Sequence, residues 1–348
     1  MEAGGFFGFL AGCHDTRSGR FRPFFYTFHI TRRKREIAYK YRGFRRFLTK
    51  TPDHWPKWHA KTGKLLGIGQ TVRYRNDKGP EKGNRETCYS VYDEQKHTWT
   101  PWTVLEMPDA EKFYNAGAGS VQRVDLSNGD ILLPIYFQGR QEKSCRVSVL
   151  RCAFDGLRLR FVEQGNELSE DTDRGLAEPS LARFGGRFYL TLRHDKAGYV
   201  STSQDGLYFD APRKWLWDDG TELGNYNTQQ HWVTHDDALL LVYTRRGANN
   251  DHVFRHRAPL FIAQVDPQRL CVIRATERIL VPQRGARLGN FGVTAVSQEE
   301  TWVTVAEWMQ TTGPNPYDYT VPMKYGSDNA VFAARILWEK PNRCWNQQ

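Results

Sequence analysis

The chain has 348 residues, 39% of them hydrophobic and 14% aromatic, with 30 glycines and a formal net charge of +10. That apolar content excludes a disordered chain, and no segment reaches the roughly 18 consecutive apolar residues of a membrane span. The charge excludes a nucleic-acid partner once it is located: residues 1–50 hold 12 Lys and Arg against three acids, whereas residues 51–348 hold 37 against 36 and offer no phosphate-tracking surface.

Taken from the N-terminus, Phe6 to Cys13 is a short apolar run ending in Leu10-Ala11-Gly12-Cys13. It is shorter than a signal core and is preceded by Glu2 rather than by Lys or Arg, so no signal peptide is expected, and a secreted or cell-envelope location stays open. Thr31-Arg32-Arg33-Lys34-Arg35 and Arg42-Gly43-Phe44-Arg45-Arg46 follow. Residues 1–50 are read as a basic, aromatic extension, because they match none of the repeats that begin after them.

From residue 51 the chain repeats itself, and that periodicity decides the fold class. Hairpin signals with period-2 alternation centre on Gly63, Gly129, Gly186, Asp237 and Glu300, spaced by about 66, 57, 51 and 63 residues. A second, polar turn recurs at Asp93, Asp155, Asp205 and, more weakly, at Asp266. In Ser203-Gln204-Asp205-Gly206-Leu207-Tyr208-Phe209 the Asp can accept backbone amides, the Gly accepts a positive φ, and the Phe plugs the layer beneath. Such spacing suits four-stranded blades, so residues 51–348 are expected to form one all-β domain, a β-propeller of five to six and at most seven blades, acting as a monomer. Six scattered cysteines lack a Cys-x-x-Cys pair, and Gly67-Ile68-Gly69 is too short for a dinucleotide fingerprint. Neither a metal nor a cofactor is expected.

Glu178-Pro179, followed by Arg193 fifteen residues on and then by the Ser203–Phe209 turn, resembles the sialidase superfamily, whose propeller blades carry Asp-box turns. The resemblance implies that Glu178 polarises a tyrosine nucleophile, with Tyr226 or Tyr325 as that tyrosine, and that Arg193 belongs to a cluster binding a sugar carboxylate. The family's Arg-Ile-Pro motif has only Arg22-Pro23 as an echo, and its acid/base Asp is not found. Two polar segments, Asn225-Tyr226-Asn227-Thr228-Gln229-Gln230-His231-Trp232 and Tyr243 to Arg257, are similar to propeller-type uronate polysaccharide lyases and rhamnosyl-glucuronate-cleaving enzymes, which use His, Tyr and Arg around a uronate.

The residue chemistry supports both. A carboxylate-bearing sugar is best held by planar, bidentate guanidinium groups, for which Arg193, Arg245 and Arg257 are the candidates, with Asn227 and Gln229 as further substrate-binding side chains. Glu178, Tyr226, His231 and His256 are the candidate catalytic groups: Glu178 and Tyr226 for hydrolysis, and Tyr226, His231 or His256 as the base that removes a proton beside a uronate carboxylate. The expected partner is an acidic oligosaccharide or polysaccharide. The expected activity is sialidase-like cleavage at a terminal acidic sugar, with β-elimination of a uronate or glycan binding without catalysis as the alternatives.

Overall fold

The computed structural model describes residues 7–14, 21–34, 47–50, 54–75, 78–80 and 85–344. Its strands form five antiparallel blades around one axis, a β-propeller with the lower of the expected blade numbers. Each of the five sequence hairpins is the innermost pair of a blade: Trp55–His59 with Lys64–Gln70, Val124–Asp125 with Ile131–Gln138, Ala177–Phe184 with Arg187–Arg193, His231–His235 with Ala238–Tyr243, and Arg287–Ser297 with Glu300–Trp308. A third strand follows in every blade, at Thr87–Asp93, Arg146–Phe154, Gly198–Ser203, Leu260–Asp266 and Ala330–Leu337. In the fifth blade the outer edge is built by the other end of the chain, where Phe21–Lys34 pairs with Ala330–Leu337 and Phe7–His14 pairs with Phe21–Lys34. Phe47–Lys50, Val72–Arg75 and Lys78–Pro80 form a separate small sheet.

The alternation of side chains along a strand explains why these sequences stack radially. In Ala238–Tyr243 the even positions, Leu240 and Val242, enter the cluster shared with the fifth blade, while Leu239, Leu241 and Tyr243 enter the cluster shared with the third. Ile131–Gln138 divides in the same way: Ile131, Leu133, Ile135 and Phe137 face the first blade, and Leu132 and Tyr136 face the third. Both faces of a middle strand are therefore dry, which is why these segments read as near-continuous apolar runs. Four such clusters join neighbouring blades, and the ring closes where Trp55 of the first blade packs on the cluster of the fourth and fifth. Truncating any one of these buried leucines to Ala costs about 2–5 kcal/mol.

The polar turns behave as their composition predicts. Asp205 Oδ1 accepts the amides of Leu207 and Tyr208 at 2.8 and 2.9 Å, and Phe209 is buried. Asp93, Asp155 and Asp266 accept the amides two and three residues on in the same manner. At Gly206 the backbone has φ +82, and an added Cβ would stand 2.5 Å from Leu132 Cδ1, so a side chain there strains the backbone and crowds the leucine. Among the described residues Cys88, Cys145, Cys152, Cys271 and Cys344 are free thiols, and no helix is long and apolar enough to cross a membrane.

Candidate functional site

The inner strands of the third, fourth and fifth blades begin at one end of the axis, and the segments joining blade to blade gather there. At Glu178-Pro179 the pairing with the neighbouring strand slips: Ala177 lies opposite Arg193 and Ser180 opposite Thr191, leaving two residues against Leu192. Pro179 donates no amide, which suits a bulge, and Glu178 takes φ +43. The bulge turns Glu178 onto Arg193, with Oε1 2.5 Å from Nη1; Glu178 Oε2 is buried without a hydrogen-bond partner among the described residues. Arg193 also donates to Asn227 Oδ1 at 2.6 Å, and Asn227, itself at φ +50, accepts a second bond from Arg174 at 3.0 Å. Arg174 in turn grips Asp195, whose carboxyl is held below the usual carboxylate range by that hydrogen bond.

Beside Asn227, Tyr226 places its hydroxyl 2.5 Å from His256 Nδ1, and His256 Nε2 lies 3.1 Å from Asp251 Oδ1. A phenol, an imidazole and a carboxylate thus form one hydrogen-bonded line. Burial pushes the Tyr226 phenol up, against the pull of Arg246, whose guanidinium covers its ring at 4.3 Å, and of Arg255. The loop carrying His256 is stapled by the buried Asn250, which donates to the carbonyls of Arg245 and Ala258 at 2.9 and 2.7 Å. Arg255 and His256 are both left-handed, at φ +58 and +51.

Arg257 runs beneath this surface. Its guanidinium donates to Thr228 Oγ1 at 2.6 and 2.9 Å, to Gln229 Oε1 at 3.0 Å and to Asn290 Oδ1 at 3.2 Å. Asn290 reaches across the axis to Ser120 Oγ at 2.8 Å, so the floor of the site ties the fifth blade to the second.

The structure therefore brings Glu178, Arg193, Tyr226, Asn227 and His256 into one connected set, with Arg257 and Gln229 below it. It places the other two sequence candidates elsewhere. His231 is fully buried among Trp55 and Phe291, its Nδ1 2.7 Å from Ser180 Oγ, and burial pushes its pKa down to about 3, so the ring is neutral. Arg245 is locked to Glu277 by bonds of 2.8 and 2.6 Å and lies over Phe261 and Trp217. Tyr325, the second candidate tyrosine, is exposed and stacks on His252.

Sequence reasoning missed Arg287. It opens the fifth inner strand, is only 5% exposed, and has no hydrogen-bond acceptor among the described residues, with Nε fully enclosed. Burial first, then the guanidiniums of Arg257 and Arg255 and more weakly Arg193, push it down to about 9. Arg255 is lowered too, by burial and by Arg193 and Arg174. A buried arginine keeps its proton at neutral pH, so these shifts register a cationic pocket lacking a counter-charge, which an anion would supply. The repeat register could have found Arg287, since it begins its blade near the position where Glu178 begins the third. Among the described residues no group of His, Cys, Asp and Glu could hold a metal ion.

No family model and no curated protein matches this sequence. Solved structures do. A sialidase of Trypanosoma rangeli is similar over 97% of this chain and 60% of its own, with a TM-score of 0.54 and 11% identity. A Hadza microbial sialidase is similar over 82% of this chain and 52% of its own, with a TM-score of 0.51 and 12% identity. A sucrose-6-phosphate hydrolase of Lactobacillus gasseri is similar over 83% of this chain and 59% of its own, with a TM-score of 0.52 and 14% identity. The chain spans about 60% or less of the length of these proteins. At such identities the likeness is one of fold, a sialidase-like, glycoside-hydrolase-like propeller.

Proposed function

We propose that the chain cleaves a glycosidic bond at an acidic sugar of a glycan, with the arginine cluster holding the sugar carboxylate and Tyr226 facing the reacting carbon. The observation that carries this reading is the Tyr226–His256 hydrogen bond of 2.5 Å, set beside the guanidinium groups of Arg174, Arg193 and Arg246. A carboxylate bound there neutralises the cluster, and the same pairing acidifies the hydrogen on the adjacent carbon.

The chemistry best supported is β-elimination of a uronate. Tyr226 passes its proton to His256, which Asp251 orients, and the phenolate takes the C5 proton. The C4–O4 bond then breaks toward oxygen, a C4–C5 double bond forms, and the leaving oxygen takes a proton from the imidazolium. One proton moves from C5 to O4 and nothing else is consumed. Asp195 is bound to Arg174, which holds its carboxyl low and makes it a poor acid for a departing sugar. Asn227 and Gln229 fix the positions of Arg193 and Arg257.

Sialidase-like hydrolysis of a terminal acidic sugar is the second reading, favoured by the fold. There the Tyr226 oxygen attacks the anomeric carbon as the glycosidic bond breaks, the Tyr226 proton passes through His256 to the departing oxygen, and water then cleaves the Tyr226–sugar bond, giving its hydroxyl to the sugar and a proton back to the phenol.

Incubation of the protein with 4-O-glycosylated uronates and with terminal sialosides separates these routes. Elimination yields an unsaturated, ultraviolet-absorbing uronate, and hydrolysis yields a saturated sugar. Binding with no new product from either class would leave a glycan-binding propeller and end the catalytic reading.

A further inference from the structure

We propose that a cavity next to the Tyr226 centre is a subsite for a second acidic sugar unit, so that the substrate is a glycan with carboxylates on neighbouring residues. The inference rests on the reading of the site as one for acidic sugars, and it adds a unit that the cleavage chemistry does not need.

The cavity has a volume of about 530 Å³, and its walls include Phe254, Arg255, Arg287, Trp308, Pro316 and Tyr317. Tyr226, His256, Glu178 and Arg193 do not line it. It is therefore a neighbouring compartment, next to the reacting centre through Arg255, which lines it, and the adjoining His256. Two features show that it is built for a ligand. Arg287, nineteen-twentieths buried, has donors that meet no acceptor among the described residues. Arg255, on the other wall, makes no side-chain hydrogen bond or ion pair among the described residues and lies over the Phe254 ring at 5.1 Å. Two cations on the walls of one cavity, each lowered by burial and then by other cations, favour an anionic occupant over a neutral one.

The aromatic walls specify the rest of the occupant. Trp308 is 54% exposed and Tyr317 is 72% exposed, and Arg287 holds the indole from one side at 4.0 Å from its centroid. Large, half-bare rings beside a buried donor suit the apolar face of a pyranose whose acidic substituent reaches the guanidinium. A carboxylate accepts the bidentate geometry that Arg287 offers, which a hydroxyl does not.

Calorimetric titration with D-glucuronate, and with glucuronamide as its uncharged isostere, tests the proposal without requiring turnover. Wild-type protein should bind two equivalents of glucuronate and neither site should take glucuronamide comparably. Arg287→Gln and Arg193→Gln should each leave one equivalent. Trp308→Ala, at a half-exposed position whose loss the fold tolerates, should weaken one event by about tenfold and spare the other. A wild-type stoichiometry of one, loss of all binding in Arg287→Gln while Trp308→Ala changes nothing, or equal uptake of glucuronamide would each overturn it. Failure of the cleavage reading looks different, because two glucuronate sites could then exist on a protein that makes no product.

Discussion

The two ends of the propeller axis are made from the same five inner strands and have opposite character. At one end the strands begin in Glu178, Arg287 and the Asn225–Gln230 segment, where buried donors and acceptors stand unmatched and side chains occupy the left-handed region. At the other the strands enclose a cavity of about 480 Å³ whose walls include Trp55, Leu133, Leu181, Trp232 and Val293. Charges occur there as well, but they are answered: Arg123 donates to Asp125, to the Leu66 carbonyl and to the Lys57 carbonyl, and Lys57 donates to the Arg123 carbonyl. Burial still pushes the Lys57 amine down to about 8, with Asp125 opposing. The two ends differ little in cavity size, about 530 Å³ against about 480 Å³. Unmet hydrogen-bonding capacity gathers at the first end, where among the described residues Glu178 Oε2, Gln229 Nε2 and Arg287 Nε have no partner, although Thr87, Gln164 and Arg187 carry such groups elsewhere; leaving a buried polar group unpaired costs about 1–3 kcal/mol.

The sharpest way to break this contrast is at the phenol. Tyr226→Phe removes one oxygen and the bond to His256, and should lower kcat by about 10³-fold while the thermal midpoint stays within a few degrees. Unchanged turnover would mean that the unmet groups at this end serve something other than cleavage. A smaller effect is expected midway along the axis. His231 stays neutral in the fold down to about pH 3, whereas in the unfolded chain it takes up a proton near 6.5. The unfolded state thus binds the extra proton in that window, and stability conferred by the neutral ring is lost as pH falls. His231→Gln should lose about 2 kcal/mol less than wild type between about pH 7 and about pH 4.5 in denaturant titrations, and should keep its turnover. A turnover loss matching that of Tyr226→Phe would return His231 to the catalytic set. The smallest effect belongs to the far end, where Trp58 is 51% exposed beside the apolar cavity. Trp58→Ser should leave kcat/KM within about twofold, and a large change would show that the two ends communicate.

The fold was the legible part because it is written in local chemistry repeated five times. Gly63, Gly129, Gly186, Asp237 and Glu300 all mark hairpins, and Asp93, Asp155, Asp205 and Asp266 all cap turns by accepting nearby amides. Part of the site was legible for the same reason, as Glu178 and Arg193 sit at facing ends of one hairpin, and Tyr226 and His256 sit in the two most polar loops. What sequence could not give is partnership at a distance. Arg245 and Arg257 are twelve residues apart in equally polar surroundings, yet Glu277 neutralises the first, while the second runs beneath the site on Thr228 and Gln229. Arg287 lies in an unremarkable Arg-Leu-Gly run, and only the convergence of three other guanidiniums gives it meaning. His231, in a polar segment, faces inward because the alternation that buries Val233 also buries it.

Glu178, Asn227, Arg255 and His256 hold a backbone shape that L-amino acids adopt at a cost of about 1 kcal/mol or more each. Glycine would relieve all four. A lineage selected in the laboratory for heat tolerance alone would be drawn toward glycine at these positions, and each gain in melting temperature would remove a carboxylate, an amide, a cation or an imidazole from the rim. Durability and chemistry compete for the same four codons, so any stabilised descendant has to be screened for product as well as for survival.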